Sequence, residues 1–346
     1  MKNQVKIEAL TSVHTGSGDK KILGIDFLYD ENYIYFLDIE KIGKALNIAD
    51  HPEYAQRWAA SIVQGKQKEY LRGSGVDYKR LSRRIPNYVD EFSDQAPSIS
   101  TQMRDARGLP YIPGTSLKGA IRTVIFAAMA SADRDYPGIL HKSKREVDQW
   151  HRNFFGGIGS DPFRHLHVGD AFFGLQDVGA INTVQIKKSK KNPRIAEIDT
   201  IKQYIEVLFE HSSSEFTLRL AADRFNQSLR GRQPLFSDLN SLLTLINGHT
   251  KRLIESELKI WSNVQEAESM CETLKGIKEE INSCKSGECV LRLGNASGKR
   301  FITGGVLEAS NGGMLAIPKT RRIEQATDDD GEYINLLGFV KLSVIG

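Results

Sequence analysis

A proline-glycine turn that runs directly into a long apolar helix limits what this chain can fold into more than any other stretch. The segment is Tyr111-Ile112-Pro113-Gly114-Thr115-Ser116-Leu117-Lys118-Gly119-Ala120-Ile121-Arg122-Thr123, and the run that follows to Ala130 is apolar enough for a buried helix. Pro113-Gly114 breaks the preceding element, and Thr115 or Ser116 can cap the first N–H groups. A helix start carries free amides and a partial positive charge, which suits an anion such as phosphate. Lys118 and Arg122 are four apart and share a face. The bland alternative is an ordinary capped helix with two solvated charges. The stretch is not a Walker A loop, because Lys118 precedes Gly119 where that motif needs Gly-Lys-Ser/Thr.

A polyanion partner is the second constraint. Net charge is only +4, but the basic residues are clustered. Lys66 to Arg84 holds seven Lys or Arg against two acids, Lys187 to Arg194 holds five and no acid, and Lys319-Thr320-Arg321-Arg322 adds three. None sits on an amphipathic pattern, which favours nucleic acid over a membrane. No apolar run approaches the ~20 residues of a bilayer span, and the N-terminus lacks a signal-peptide core. The expected location is the cytoplasm. Cys271, Cys284 and Cys289 lack CxxC spacing and nearby histidines, so they read as reduced structural thiols. No metal and no cofactor are expected.

At 346 residues the chain suggests roughly two domains. Val5 to His14 reads as a first strand ending in the tight turn Thr15-Gly16-Ser17-Gly18. Ile25–Tyr29 and Tyr33–Asp38 read as a hairpin, and 39–62 as helical with a break near His51-Pro52. Lys66–Arg84 has weak periodicity and reads as partly mobile. Phe163 to Val168 alternates as a strand, placing His165 and His167 on one face. That pair suggests metal with Asp161 or Asp170, but no third nitrogen or sulfur ligand is spaced to complete a site, so packing is the preferred reading. Asn182–Ile186 and Phe216–Ala221 read as strands flanking an exposed lysine-rich loop. The longest helical region is 236–282, with a break expected at Gly248-His249. The fold class is α+β: two ferredoxin-like (RRM-like) domains, 1–180 and 181–346, the second with a helical insertion at about 236–282. No RNP aromatic signature is present, so base stacking on a sheet is not expected.

His14-Thr15-Gly16-Ser17-Gly18, the Tyr111–Arg122 block and a late glycine-rich segment together resemble the RAMP superfamily of CRISPR systems. Within it, the chain is most similar to the branch of type III-A (Csm) complexes that caps the 3′ end of the crRNA. The matching points are Asp161-Pro162-Phe163-Arg164, Val168-Gly169-Asp170, Leu291-Arg292-Leu293-Gly294 through Gly305, Pro318-Lys319-Thr320-Arg321-Arg322 and Leu337-Gly338-Phe339-Val340-Lys341-Leu342. The resemblance implies a non-catalytic, RNA-holding subunit that supports crRNA maturation in antiviral defence. Its implied partners are the crRNA, neighbouring RAMP backbone subunits, small helical subunits of the complex and a trimming nuclease.

The expected RNA contacts are Gly16, Ser17 and Gly18, then Gly114, Ser116, Lys118, Gly119 and Arg122, with the amides near Ser116 and Gly119 completing a phosphate cradle. Lys299, Arg300, Arg321 and Arg322 would extend the track through the second half. The competing reading is a RAMP-type endoribonuclease acting on precursor crRNA, with His14 as its first candidate base. A third is a sugar- or nucleotide-phosphate enzyme using the helix start at Ser116, which leaves the dispersed basic loops unexplained.

Overall fold

The computed structural model describes residues 2–89, 91–92, 97–132, 144–189, 192, 194–229, 234–297, 320–328 and 331–345. Their strands are β1 (Lys2–Ala9), β2 (Gly16–Ile22), β3 (Phe27–Tyr29), β4 (Tyr33–Phe36), β5 (Arg83–Tyr88), β6 (Ser98–Gln102), β7 (Tyr111–Ile112), β8 (Leu166–Val168) and β9 (Ala171–Phe172). The series continues with β10 (Val178–Lys188), β11 (Ala196–Ile198), β12 (Gln203–Leu208), β13 (Ser213–Leu220), β14 (Glu288–Arg292), β15 (Thr320–Asp328), β16 (Gly331–Asn335) and β17 (Phe339–Val344). The helices are α1 (Ile39–Ala45), α2 (Pro52–Val63), α3 (Gln67–Gly73), α4 (Tyr78–Leu81), α5 (Gly114–Ala132), α6 (Lys144–Phe155), α7 (Ala222–Gln227), α8 (Leu239–Trp261) and α9 (Glu268–Ser283). The α+β class is therefore as expected.

A five-stranded sheet has the order β14-β17-β1-β13-β8, with every neighbouring pair antiparallel. The path β1–α5–β8–β13–α8–β14 is β-α-β-β-α-β, and its strand order is the ferredoxin-like one with β17 inserted beside β1. This unit draws on both ends of the chain, since β1 is hydrogen-bonded between β13 and β17. The expected boundary at 180/181 instead falls inside β10, and two units in tandem are not the arrangement of the described residues. A ten-stranded mixed sheet follows the order β2-β6-β12-β10-β5-β4-β3, with β11, β15 and β16 branching from β10.

The apolar run after Gly114 forms α5 as expected. Leu117, Ile121, Val124, Ile125 and Phe126 are buried among Val5, Ile7, Phe216, Leu218 and Leu342 of the five-stranded sheet and Leu242, Leu243 and Ile246 of α8. Each such side chain contributes about 1.5–3 kcal/mol on burial, so α5 is fixed rigidly and its first turn can serve as a platform. The segment Lys66–Arg84 is ordered rather than mobile: α3, α4 and β5 form because Leu71, Val76 and Tyr78 bury with Trp58 and Tyr35 in a separate core. Among the described residues no helix is long and apolar enough to cross a membrane.

Glu324 of β15 is buried, 8% exposed. Burial, and then the charge of Glu210, push its pKa up from 4.5 to about 7, against an opposing hydrogen bond from Ser12. Between those values the folded chain holds a proton the unfolded chain has released, so folding stability falls as pH rises through the window. The expected loss is on the order of 3 kcal/mol. Urea unfolding of wild type and Glu324→Gln at pH 5 and pH 8 checks this: the variant's relative stability should grow with pH. A constant difference would show that the carboxyl is not held protonated.

Candidate nucleic-acid interface

The start of α5 is seated on a β-turn 56 residues away in sequence. Gly114 lies so close to the β8–β9 turn that a Cβ would sit 2.2 Å from the Val168 carbonyl oxygen and 2.7 Å from that of Gly169. Its N–H donates to Asp170 Oδ1 at 2.7 Å, while the N–H groups of Ser116 and Leu117 donate to the Pro113 carbonyl at 2.9 and 3.2 Å. The cap is thus Asp170, not Thr115 or Ser116. A carboxylate already occupies the positive end of the helix, the place a phosphate would take. Gly119 is exposed in the second turn, with open space where a Cβ would be. The expected amide cradle is corrected accordingly, and side chains must supply any grip on an anion.

Lys118 and Arg122 share a face as expected, but they differ in what they touch. Arg122 Nη1 lies 2.8 Å from Asp161 Oδ2, and its guanidinium stacks between Phe155 and Phe163, 4.6 and 4.7 Å from the ring centres. Asp161 is held in turn by the Phe163 N–H at 2.9 Å. Arg122 is therefore pinned. Lys118 is half-buried and has no hydrogen bond or ion pair among the described residues. Burial, then the neighbouring Arg122 charge, lower its pKa, with Asp161 opposing. It is the cation of this pair available to a ligand.

Two further glycine turns close on this platform. Thr15 Oγ1 donates to the Tyr111 carbonyl at 3.3 Å, and Gln102 bridges the two segments: its Oε1 accepts from the Thr15 N–H at 2.8 Å, and its Nε2 donates to Thr15 Oγ1 at 2.6 Å and to the Tyr111 carbonyl at 3.3 Å. Gly16, Ser17 and Gly18 then open β2, an edge strand whose Lys20 is exposed and Lys21 half-buried. At the third turn, the Asn295 N–H donates to the His14 carbonyl at 2.9 Å, and a Cβ on Gly294 would sit 2.5 Å from that oxygen. Three glycine-bearing segments singled out in the sequence therefore meet.

His14 lies at the centre of this junction, only 3% exposed. Its Nδ1 is 2.6 Å from the Glu206 carbonyl, which can only accept, so Nδ1 donates. Burial lowers its pKa, opposed by that carbonyl and by the Glu206 carboxylate. Nε2 faces Gly16, where a Cβ would come within 2.8 Å. The imidazole thus packs and orients the turn, and a 2′-hydroxyl has no open approach to it. Beside it, the fully buried Glu206 carboxylate pairs with Arg83 at 2.8 Å and with Arg104, and accepts the Gln102 N–H at 2.9 Å.

The second-half track does not assemble as expected. Arg321 is buried and bidentate on Glu257, at 2.9 Å from Nε and 2.6 Å from Nη2. Its guanidinium is committed to the interior and is withdrawn as an RNA contact. Arg322 projects to the opposite face of β15, half-buried, with Nη1 3.3 Å from Thr183 Oγ1; burial lowers its pKa, with Asp199 opposing. Lys299 and Arg300 lie outside the described residues. The metal alternative loses its geometry: His165 falls in a 3₁₀ turn (Pro162–His165), not on a strand face with His167, and its Nε2 accepts from Arg164 Nε at 3.1 Å.

The sequence reading missed an aromatic pair. Tyr111 and Phe172 are opposite one another in the β7–β9 pair and stack at 5.3 Å and 29°. Phe172 is 41% exposed, beside the helix start. An exposed ring of this kind can stack a base of single-stranded nucleic acid. The signal was the aromatic dipeptide Phe172-Phe173, whose outer member only strand alternation identifies.

Comparison with known proteins supplies the frame for this geometry. The family model of the RAMP superfamily matches residues 6–294. The chain is similar to the protein described as CRISPR system Cms protein Csm5 of Streptococcus thermophilus, with 27% identity over 136 residues, 35% of this chain and 37% of that protein. Its match spans less than half the length of this and two other curated relatives so described. Among solved structures it is similar in fold to a chain of a Csm-crRNA-target RNA ternary complex of a type III-A CRISPR-Cas system, with TM-score 0.72, 18% identity and coverage of 99% of this chain and 100% of that one. The crystal structure of T. onnurineus Csm5 is similar too, with TM-score 0.68, 17% identity and coverage of 98% and 100%.

Proposed function

The chain belongs to the RAMP superfamily, and on that premise we propose that it is a crRNA-binding structural subunit of a type III-A CRISPR effector complex that covers the 3′ end of the crRNA and supports its maturation. The observation that carries this reading is the meeting of three glycine-bearing segments at Thr15, Tyr111 and Asn295, on a chain whose first α5 turns carry Lys118, a half-buried lysine with no ion pair among the described residues. Lys118, with Lys20 and Lys21 on the edge strand, would hold phosphates, and Phe172 would take a base. Glycines 16 and 18 let the ribose-phosphate backbone approach β2 closely. The likeness to Csm5 proteins and to a chain of a crRNA complex supports crRNA and other Csm subunits as partners; neighbouring RAMP subunits, small helical subunits and a trimming nuclease complete the proposed set. The endoribonuclease alternative gains nothing from His14, whose ring is enclosed.

Binding of this kind is largely independent of sequence and weakens with salt. For two unrelated single-stranded RNAs titrated in rising salt, Lys118→Ala is expected to lower the salt slope by about 0.7 and the affinity by about fivefold at 0.1 M salt. Both RNAs should lose equally. A flat salt response, or an unchanged slope in the variant, would reject the interface. Incubation with labelled precursor RNA separates binder from nuclease: cleavage abolished by His14→Ala would replace this reading with the enzymatic one.

A further inference from the structure

A second feature of the surface has the wrong charge for RNA. A groove of about 1630 Å³ lies between β10, β15 and β16 on one side and the β3–β4 turn and α2–α3 connection on the other. Its walls carry Glu31, Glu210 and Glu324, none of which pairs with a lysine or arginine among the described residues; Glu210 has only His211 at 3.7 Å. A fourth acid, Asp30, is neutralised by Lys79 at 2.5 Å. Among the described residues the lysine lining the groove is Lys68, directed at the Tyr29 carbonyl at 3.5 Å. The lining includes an aromatic pair: Tyr88, 58% exposed, meets Phe209 edge-on at 5.2 Å and 83°. Glu324 is more than nine-tenths buried against this space and has a hydroxyl, not a cation, for company.

From this combination we propose that the groove docks a basic segment of another protein, an arginine or lysine reaching Glu324 and Glu210 while its aliphatic stem lies on Tyr88 and Phe209. A guanidinium or ammonium there offsets the cost of holding Glu324 buried, which keeps its pKa near 7. Cation–π contact with Tyr88 adds to it. Phosphate is disfavoured by the acidic lining, and an apolar ligand leaves it uncompensated. Charge therefore selects the occupant. The surface is separate from the Lys118 platform and does not depend on it.

The test uses the full chain and a fluorescein-labelled peptide, Gly-Arg-Tyr-Arg-Gly, against the same peptide with citrulline, neutral and nearly isosteric, in place of arginine. Anisotropy at 0.1 M salt should show the arginine peptide binding at least tenfold more tightly. Glu210→Lys and Tyr88→Ser, both at exposed positions, should each weaken it at least fivefold while RNA affinity is unchanged. Equal binding of the two peptides, indifference to both substitutions, or displacement of the peptide by RNA would overturn the proposal. In the reconstituted complex, a photo-crosslinker at position 88 should capture an arginine- or lysine-bearing peptide of another subunit; capture of RNA, of this chain itself or of an acidic segment would also overturn it.

Discussion

Replacing Glu257 with alanine is expected to destabilise the protein by about 3–5 kcal/mol, because it strips the counter-charge from buried arginines. Glu257 of α8 is 1% exposed and accepts two hydrogen bonds from Arg321 and one, at 3.2 Å, from Trp261 Nε1. Arg292 at the end of β14 is also buried, with Nε on the Leu337 carbonyl at 2.9 Å and its guanidinium 4.7 Å from the centre of the Phe339 ring. Burial, and the nearby Arg321, pull its pKa down to about 9, while Glu257 opposes. One carboxylate thus serves two interior cations. Arg292 is followed by Leu293, Gly294 and Asn295, the turn that rests on His14, so the same charge holds a wall of the proposed RNA site. Urea unfolding of Glu257→Ala, Arg321→Met and the double variant checks the coupling. The double variant should be less destabilised than the sum of the singles, since it removes one buried cation together with the anion. Strict additivity, or a cost below 1 kcal/mol for Glu257→Ala, would show that the charge is not held in place by this network.

What could be read from the sequence was whatever depends on neighbours along the chain. The hairpin of β3 and β4, the break before Pro52 and the helix after Gly114 all follow from local spacing and turn residues. The expected break at Gly248-His249 did not occur. There, Asn247 pairs with the Glu288 carbonyl at 3.0 Å and the Val290 N–H at 2.8 Å, and Thr250 Oγ1 reaches the Val290 carbonyl at 2.9 Å. This tether to β14 outweighs the ~1 kcal/mol cost of glycine within a helix, and α8 ends near Ser262 instead. The opposite fates of Arg321 and Arg322 show the same limit. Alternation puts them on opposite faces, but only the pairing of β15 with β10 says which face is interior. The cap from Asp170 is likewise a long-range fact: Val168-Gly169-Asp170 carries a family likeness in the sequence, while its physical role depends on a contact 56 residues away.

Gly114→Ala tests that role directly. A methyl group at position 114 would meet backbone, the Val168 carbonyl at 2.2 Å and the Gly169 carbonyl at 2.7 Å, and backbone cannot rotate aside. Either α5 lifts or the β8–β9 turn gives way, and both break the Gly114 N–H to Asp170 bond. Overpacking and the lost cap together are expected to cost on the order of 3 kcal/mol. Lys118, one turn on, moves with the helix, so RNA affinity should fall even under conditions where the variant remains folded. Gly119→Ala is the contrasting substitution on the same helix. Its Cβ would enter open space, and replacing a helical glycine should raise stability by about 0.5–1 kcal/mol. Chemical denaturation should therefore give opposite signs for two Gly→Ala changes five residues apart. Equal stability for Gly114→Ala and wild type would mean that the helix start is not seated on this turn. If Gly119→Ala proves more stable yet binds RNA less well, the backbone of the second turn itself lies against the strand, a contact that does not need its amide.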